Sequence, residues 1–115
     1  MDDRPITRDT LLAALRSHIG KRRGVTCTAL CRQILGAEPT PGDERHLRDL
    51  VVELRQEGHH ICAHPSTGYY LAATPEELDE TCLFLYDRAM TALKQIARMK
   101  KVSVPDLHGQ LHLPT

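Results

Sequence analysis

The stretch HHICAHPSTGYYLA, residues 59–72, holds the side chains of this chain that are best suited to binding a metal. It has three histidines and one cysteine, and no lysine, arginine or carboxylate. A structural zinc needs four ligands in a tetrahedron, and proteins usually supply them as paired Cys or His knuckles. Cys62-x-His64, together with His59 or His60, does not have such a spacing. We therefore expect no metal site and no cofactor.

The chain has four cysteines: Cys27, Cys31, Cys62 and Cys82. Cys27 and Cys31 could present two thiolates from one helix, but Cys31 falls among the apolar Leu30 and Ile34. A buried cysteine usually acts as a small hydrophobic side chain. The N-terminus MDDRPITRD is acidic and polar, unlike a secretory signal. Reduced thiols and a cytoplasmic location are the expectation.

Catalytic motifs are missing from the sequence. It has no glycine-rich phosphate loop, no HExxH pair and no nucleophile elbow. Its histidines and carboxylates form no recognisable constellation. We expect a chain that is not an enzyme.

Zero net charge argues against a strongly basic nucleic-acid binder, but the distribution of the charges leaves nucleic acid open as a partner. The formal net charge is zero, but the charges lie in blocks. Residues 10–37 carry five bases and no acid, and residues 38–58 carry six acids and three arginines. Residues 74–87 hold five acids and no base, and residues 88–101 hold five bases and no acid. Such a chain can present one basic face, or the blocks can be ordinary solvated surface.

A helix that begins at Thr40-Pro41-Gly42-Asp43 is the candidate for reading bases. A threonine cap, a proline at the first helical position and an acid three residues after the cap are start signals, and Gly58 suits the end. Its buried stripe is Leu47, Leu50, Val51 and Leu54. The opposite face then carries Arg45, Asp49, Val52 and Gln56, with Arg48 and Arg55 beside it.

Such a face has the donors that base recognition requires. Arginine can bind guanine with two hydrogen bonds, glutamine can bind adenine, and valine can contact a thymine methyl group. Arg45 and Arg48 lie in the N-terminal half of the helix, the part that usually enters the major groove. The alternative is a surface helix in which Asp49, Glu53 and Glu57 pair with arginines three or four residues away.

The rest of the periodicity predicts an α+β, mostly helical chain. Leu11, Leu12, Leu15 and Ile19 indicate a first helix between Thr7 and Gly20. A basic loop and the short strand GVT follow, and a second helix runs from a cap at Thr26 to Gly36. HHICAH and YYLAA each suit a strand, with the turn PSTG between them.

Over residues 7–73 this order resembles the winged helix-turn-helix family. The resemblance rests on the helix LRDLVVELRQEG, which runs directly into HHICAHPSTGYYLA, with Gly-Tyr-Tyr closing the wing. Many bacterial and phage-type proteins have such a junction. The family resemblance implies a winged-helix fold that often binds DNA, sometimes RNA, and quite often protein. It also places the start of the second helix near a DNA backbone, where Thr26 and Thr28 could contact phosphates.

The basic loop and the wing supply the other predicted DNA contacts. The phosphate-binding candidates are Lys21, Arg22, Arg23 and Arg32, with Arg16. In the wing, His64, Ser66 and Thr67 could reach phosphates or a minor groove, and protonation of the histidine would strengthen that contact. The alternative for the basic loop is solvated surface.

A long helix from about Pro75 to about Lys100 would measure roughly 39 Å. It has two apolar seams at heptad spacing. One is Leu78, Cys82, Leu85, Ala89, Ala92, Ile96 and Met99, and the other is Leu83, Tyr86, Met90, Leu93 and Ala97. The acidic first half and basic second half favour an antiparallel homodimer through Leu85, Ala89, Ala92, Leu93, Ile96 and Met99. The alternative is that the helix folds back onto the core of a monomer.

Residues 102–115 are predicted to form a flexible tail. Within it, Gln110-Leu111-His112-Leu113-Pro114 resembles the short peptide by which bacterial replication and repair proteins bind the sliding clamp. Gln110, Leu111 and Leu113 match that peptide, whereas Pro114 stands where an aromatic residue is usual. The resemblance implies the sliding clamp as a partner.

The sequence thus predicts three parts: a winged helix-turn-helix domain over 1–73, a dimerisation helix over 74–101 and a tail over 102–115. The predicted function is binding of double-stranded DNA by a transcriptional regulator or accessory replication factor. The alternative is a non-catalytic protein-interaction module built on the same scaffold and long helix.

Overall fold

A computed structural model describes residues 5–111, with side chains described through residue 107. Its helices are α1 (Arg8–Leu15), α2 (Cys27–Leu35), α3 (Pro41–Gln56), α4 (Pro75–Lys100) and α5 (Val104–Leu111). Strands β1 (Ile61–His64) and β2 (Gly68–Leu71) lie between α3 and α4, and a short 3-10 helix covers Lys21–Arg23. The predicted α+β, mostly helical class is confirmed. No helix within residues 5–111 is long and apolar enough to cross a membrane.

Threonine side chains cap four of the helices, as the sequence predicts. The hydroxyls of Thr26 and Thr40 each accept a hydrogen bond from the backbone N–H three residues on, at 3.1 Å. Asp43 completes a capping box, since its carboxylate accepts from the N–H of Thr40 at 2.8 Å. Thr7 and Thr74 cap α1 and α4 in the same way. Each cap satisfies a backbone donor that the first helical turn leaves unpaired.

The core lies among α1, α2, α3 and β1. Its buried members are Ile6, Leu11, Leu15, Leu30, Cys31, Leu47, Leu50, Val51, Leu54 and Ile61. The predicted stripe of α3 is therefore confirmed, and so is the burial of Cys31. This packing fixes the inward face of α3, and hence the face that it presents to solvent.

The two strands form an antiparallel hairpin in which Ile61 pairs with Leu71 and His64 with Gly68. Segments from before α2 add to it: Ile19 bridges to Leu71, and Val25 bridges to Tyr69. The prediction that the first helix runs to Gly20 is wrong, because α1 ends at Leu15. The backbone of residues 18–20 instead forms hydrogen bonds with β2. The N–H of Gly20 donates to the carbonyl of Leu71 at 2.8 Å.

Both faces of the hairpin are covered. Ile61 belongs to the core, and Tyr69 and Leu71 pack against it. On the other face Cys62 and Tyr70 are fully buried. There the first turns of α4 contact the strands, since the Cys62 thiol lies 3.6 Å from the Glu77 carbonyl and the N–H of Ala63 donates to Thr81 Oγ1 at 3.3 Å.

The chain divides into two compact units, one ending at Thr81 and the other beginning at Cys82, so the division falls inside α4. The second unit consists of the rest of α4 and of α5. Its buried residues within the described part are Ala97 and Leu107.

The tail predicted from residue 102 is wrong in part, because residues 104–111 form α5. Lys101 takes a left-handed conformation with φ of 57°, which ends α4 and turns the chain. The Ser103 hydroxyl accepts from the N–H of Asp106 at 3.3 Å and caps the new helix. Proline in the first turn of a helix costs little, so Pro105 did not argue against one.

Candidate nucleic-acid interface

The two flanks of α3 differ in charge and in what they contact. On one flank His46 Nε2 lies 2.8 Å from the carbonyl oxygen of Ile6, and Glu57 forms an ion pair with Arg8. Glu53 shares this side of the helix, as it lies four residues from Glu57 at about 100° per residue. The carboxylates of this flank therefore face α1 and the chain before it.

The opposite flank of α3 carries arginines. Arg55 Nε donates to the carbonyl oxygen of Ile61 at 2.8 Å, which holds this side chain against β1. Arg48 lies near Cys27 and Tyr69. Burial raises the pKa of Tyr69, Cys27 adds to that rise, and the positive charges of Arg55 and Arg48 lower it. Burial likewise raises the pKa of Cys27, and Arg48 is the strongest opposing influence.

The N-terminus of α2 faces the first turns of α3. The Thr28 hydroxyl donates to the carboxylate of Glu44, and the Cys27 thiol lies 3.7 Å from the Glu44 carbonyl. Thr28, a predicted phosphate contact, thus lies beside the Arg48 flank but already has an acidic partner. Arg48 and Thr28 are the two predicted site residues that the fold brings together on this flank.

Arg45 and Arg48 are exposed, as are Val52 and Gln56 on the same outer surface. Neither arginine has a carboxylate within ion-pair distance among the residues that the structure describes. Val52 exposes 52 % of its surface, a large fraction for a valine on a helix that packs well elsewhere. The outer surface of α3 therefore combines the guanidinium groups of Arg45 and Arg48, the exposed carboxylate of Asp49, an amide and one apolar contact.

The residues of the basic segment Lys21–Arg23 differ in whether a carboxylate is bound to them. Lys21 Nζ donates to Glu80 Oε1 at 2.6 Å, and its backbone N–H donates to Glu77 Oε2 at 3.0 Å. Arg22 and Arg23 are exposed, and within residues 5–107 they have no ion-pair partner. Among residues 5–107, the segment therefore offers two guanidinium groups without an ion pair and one amine paired with a carboxylate.

Arg32 is also neutralised. Its guanidinium donates to both carboxylate oxygens of Glu38, at 2.6 and 3.1 Å. Both side chains are largely exposed, so the pair contributes little to stability. It does lower the positive charge that Arg32 can offer a phosphate.

The predicted wing contacts are partly used inside the protein. His64 Nδ1 accepts from the N–H of Ser66 at 3.1 Å, so the proton of a neutral His64 resides on Nε2. Nε2 lies 3.9 Å from the carboxylate of Glu80, which Lys21 also contacts. Thr67 Oγ1 is buried and has no hydrogen-bond partner among the described residues. Ser66 is the wing residue of this set that remains exposed.

Two glycines hold the wing turn against the start of α2. Gly68 has φ of +84°, and a Cβ there would lie 2.1 Å from the Val25 carbonyl oxygen. A Cβ on Gly24 would lie 2.3 Å from the Thr67 carbonyl oxygen. The two backbones approach so closely that only glycine fits at either place. The basic segment and the wing turn are therefore neighbours in the fold.

Metal-binding side chains are dispersed. The described residues contain no group of three or more His, Cys, Asp or Glu side chains that could hold a metal ion. Burial raises the pKa of Cys31 to about 12, so its sulfur stays a protonated thiol near neutral pH.

The sequence placed Arg55 beside this surface but did not identify Tyr69 as part of it, nor the acids beside it. Tyr69 could have been placed from strand alternation, because it lies two residues before Leu71 and shares its face. The acidic partners Glu44, Glu77 and Glu80 had no local signal, because they are distant in sequence from the residues that they contact. The peptide at Gln110–Pro114 is described only as far as the backbone of Leu111, and Leu113 and Pro114 lie outside the described residues.

The chain matches no protein-family model, no curated protein and no solved structure.

Proposed function

We propose that this chain is a winged helix-turn-helix protein that binds double-stranded DNA through α3, the segment before α2 and the wing turn. The observation that carries the proposal is the asymmetry of α3. Glu53 and Glu57 lie on the flank beside α1, and Glu44 accepts a hydrogen bond from Thr28. Arg45 and Arg48 remain exposed, and in the described part of the chain no carboxylate lies within ion-pair distance of them, although the exposed Asp49 shares their surface. Arginines in the N-terminal half of a recognition helix are placed to reach base edges.

The order and packing of the elements support the winged-helix proposal. α2 packs against α3, the hairpin follows α3 directly, and Val25 pairs with Tyr69 of β2 in an isolated antiparallel bridge. This is the arrangement that a winged helix-turn-helix uses to present its recognition helix and wing on one side.

Within this proposal the residues have different roles. Arg45, Arg48, Val52 and Gln56 contact base edges. Lys21, Arg22, Arg23, Arg32 and Thr28 contact phosphates. His64, Ser66 and the main chain of Thr67, whose hydroxyl is buried, approach the adjacent backbone. Arg22 and Arg23 are the strongest phosphate contacts, because Lys21 and Arg32 must first give up part of their pairing with Glu80 and Glu38. A regulator or an accessory replication factor would both use such a site.

The experiment is a fluorescence-anisotropy titration of a labelled random duplex at two salt concentrations, roughly 50 and 200 mM. Arg22→Gln is expected to weaken binding and to reduce the salt slope by about 1, as expected for the loss of one phosphate contact. Arg8→Gln is the matched control, since it removes the same charge from a residue paired with Glu57 on the other side of α3. An absence of binding at the lower salt, or equal losses for both variants, would contradict the proposal.

A second function, docking of a protein partner on the same scaffold, is favoured by a different observation. Carboxylates already pair with Lys21 and Arg32 and accept a hydrogen bond from Thr28, and the exposed Val52 suits a protein contact. This function predicts no salt-dependent DNA binding and no effect of Arg22→Gln on the anisotropy. The same titration therefore separates the two. Binding to the sliding clamp through Gln110–Leu113 belongs to this second proposal.

A further inference from the structure

Five consecutive apolar residues of α4, Cys82–Tyr86, are exposed. Leu83 exposes 60 % of its surface and Tyr86 exposes 61 %. Successive residues of a helix are rotated by about 100° about its axis, so five consecutive side chains point to all sides of the helix. A helix that is apolar on all sides is stable in water only when other groups cover it.

Past Tyr86, several residues of α4 are buried or half-buried. The second seam is half-buried at Met90 and Leu93 and buried at Ala97, whereas its first residues, Leu83 and Tyr86, are exposed. Leu107 of α5 is 1 % exposed. The other seam, here called the open seam, consists of Cys82, Leu85, Ala89, Ala92, Ile96 and Met99, all of which are exposed except the half-buried Ile96. Met99 exposes 76 % of its surface there.

The spacing of the open seam is self-complementary. Its residues follow one another at intervals of three, four, three, four and three, a series that reads the same in both directions. In an antiparallel pair of helices, each residue of the seam on one helix packs against a residue of the seam on the other. The residue at a given place from the start of one seam meets the residue at the same place from the end of the other. Leu85 then meets Ile96 of the partner subunit, Ala89 meets Ala92 of the partner subunit, and Cys82 meets Met99 of the partner subunit.

From this geometry we propose that a second copy of the chain covers the open seam of α4 in an antiparallel, two-fold symmetric dimer. The alanine layers let the two helices approach closely, while Leu85 and Ile96 fill the layers on either side. A two-fold axis requires the same patch on both copies, and this seam supplies it. Leu93, which the sequence assigned to the interface, lies instead on the half-buried side.

Charge selects the antiparallel direction. Residues 88–101 carry five bases and no acid, so a parallel dimer would place two strongly basic segments side by side. An antiparallel dimer brings the basic end of each helix towards the acidic first half of the other. The dimer proposal does not depend on DNA binding, because its residues all lie in the second unit.

The first test is the mass of the full chain by light scattering over micromolar concentrations. The wild-type chain is expected to be dimeric, and Ala89→Glu, which places a charge in the central layer, is expected to be monomeric. Thr91→Glu is the matched control, because it adds the same charge on an exposed face of α4 away from the seam. Helix content by circular dichroism shows whether each variant folds. A monomeric wild-type chain, or dissociation by both variants, would overturn the proposal.

The second test fixes the direction of the helices by oxidative cross-linking. In the antiparallel dimer the two Cys82 residues lie about 26 Å apart along the helix axis, since each is 17 residues from the position that faces it. Met99→Cys should therefore give a cross-linked dimer, whereas the wild-type chain should not. A further change of Cys82→Ser should abolish the cross-link. Cross-linking of the wild-type chain through Cys82 would indicate a parallel dimer and contradict the proposal.

Discussion

Glu77 accepts a hydrogen bond from the backbone N–H of Lys21 at 3.0 Å, although the two residues are 56 positions apart in the chain. The other oxygen of the same carboxylate accepts from the N–H of Ala73 at 2.8 Å. These two bonds, first from Lys21 and then from Ala73, hold the pKa of Glu77 below its ordinary value of 4.5. One side chain thus joins the first turn of α4 to the segment that precedes α2.

Because the pKa of Glu77 is lowered in the folded protein, the stability of the fold is expected to depend on pH. A group with a lowered pKa in the folded state stabilises the fold above its unfolded pKa, and the contribution is lost as pH falls through the folded value. Glu77→Gln should therefore lower the urea midpoint at pH 7, and the gap to wild type should narrow progressively as pH falls from about 4.5 through the lower folded pKa. Glu76→Gln, an exposed change in the same turn, is the control. A gap that is equally large at pH 3 would show that the charge has no part in the effect.

The wing turn lies so close to Val25 that Gly68 is not expected to tolerate a larger side chain. Gly68→Ala adds a Cβ that would lie 2.1 Å from a backbone carbonyl oxygen, in addition to the cost of positive φ. We expect a loss of about 3 kcal/mol or more in the free energy of unfolding. Gly36→Ala also has positive φ, at +70°, but its Cβ would meet open space, so a loss of only about 1–2 kcal/mol is expected. Equal losses in urea unfolding would argue against the steric explanation.

The cap of α3 predicts a smaller, local effect. Thr40→Ala removes the acceptor for the N–H of Asp43 and should cost about 1 kcal/mol in chemical denaturation. Thr91→Ala is the comparison, since Thr91 lies in mid-helix and its hydroxyl donates to the carbonyl of Asp87. That change should stay within about 0.5 kcal/mol of wild type. A larger loss of stability for Thr91→Ala than for Thr40→Ala would mean that the Thr40 hydroxyl does not stabilise the start of α3.

The buried thiols predict a reactivity order. Cys31 and Cys62 have no exposed surface, and burial raises the pKa of Cys31 to about 12. In a chain that carries Cys27→Ser and Cys82→Ser, iodoacetamide at pH 8 should therefore modify neither remaining thiol until urea unfolds the protein. Mass spectrometry of the intact chain measures the extent of modification. Rapid labelling of the folded protein would contradict the packing around α2 and β1.

Local signals were sufficient to predict α3 from the sequence. Thr40, Pro41 and Asp43 specify its start, and its four buried residues repeat at helical spacing, so the starting point and the inward face both follow. The first helix was predicted too long because Ile19 continues an apolar pattern. Its backbone pairs instead with Leu71, a partner that lies far along the chain.

The exposure of Arg45 and Arg48 was also predictable, because it follows from which residues of α3 are buried. The pairing of the basic residues was not. Lys21 contacts Glu80 across 59 positions, and no local pattern reports such a contact. The division of α3 into an acidic and a basic flank depends on where α1 and β2 pack, so the alternating acids and arginines could not be separated by periodicity alone.

Neighbouring tyrosines on β2 contact different parts of the first unit. Tyr69 lies on the side of the core and Arg48, and Tyr70 lies on the side of Thr81 and Glu80. A slip of the strand by one residue would exchange the two rings and break both sets of contacts at once. The register of the hairpin therefore decides which ring lies beside the arginines of α3 and which lies beside the first turns of α4.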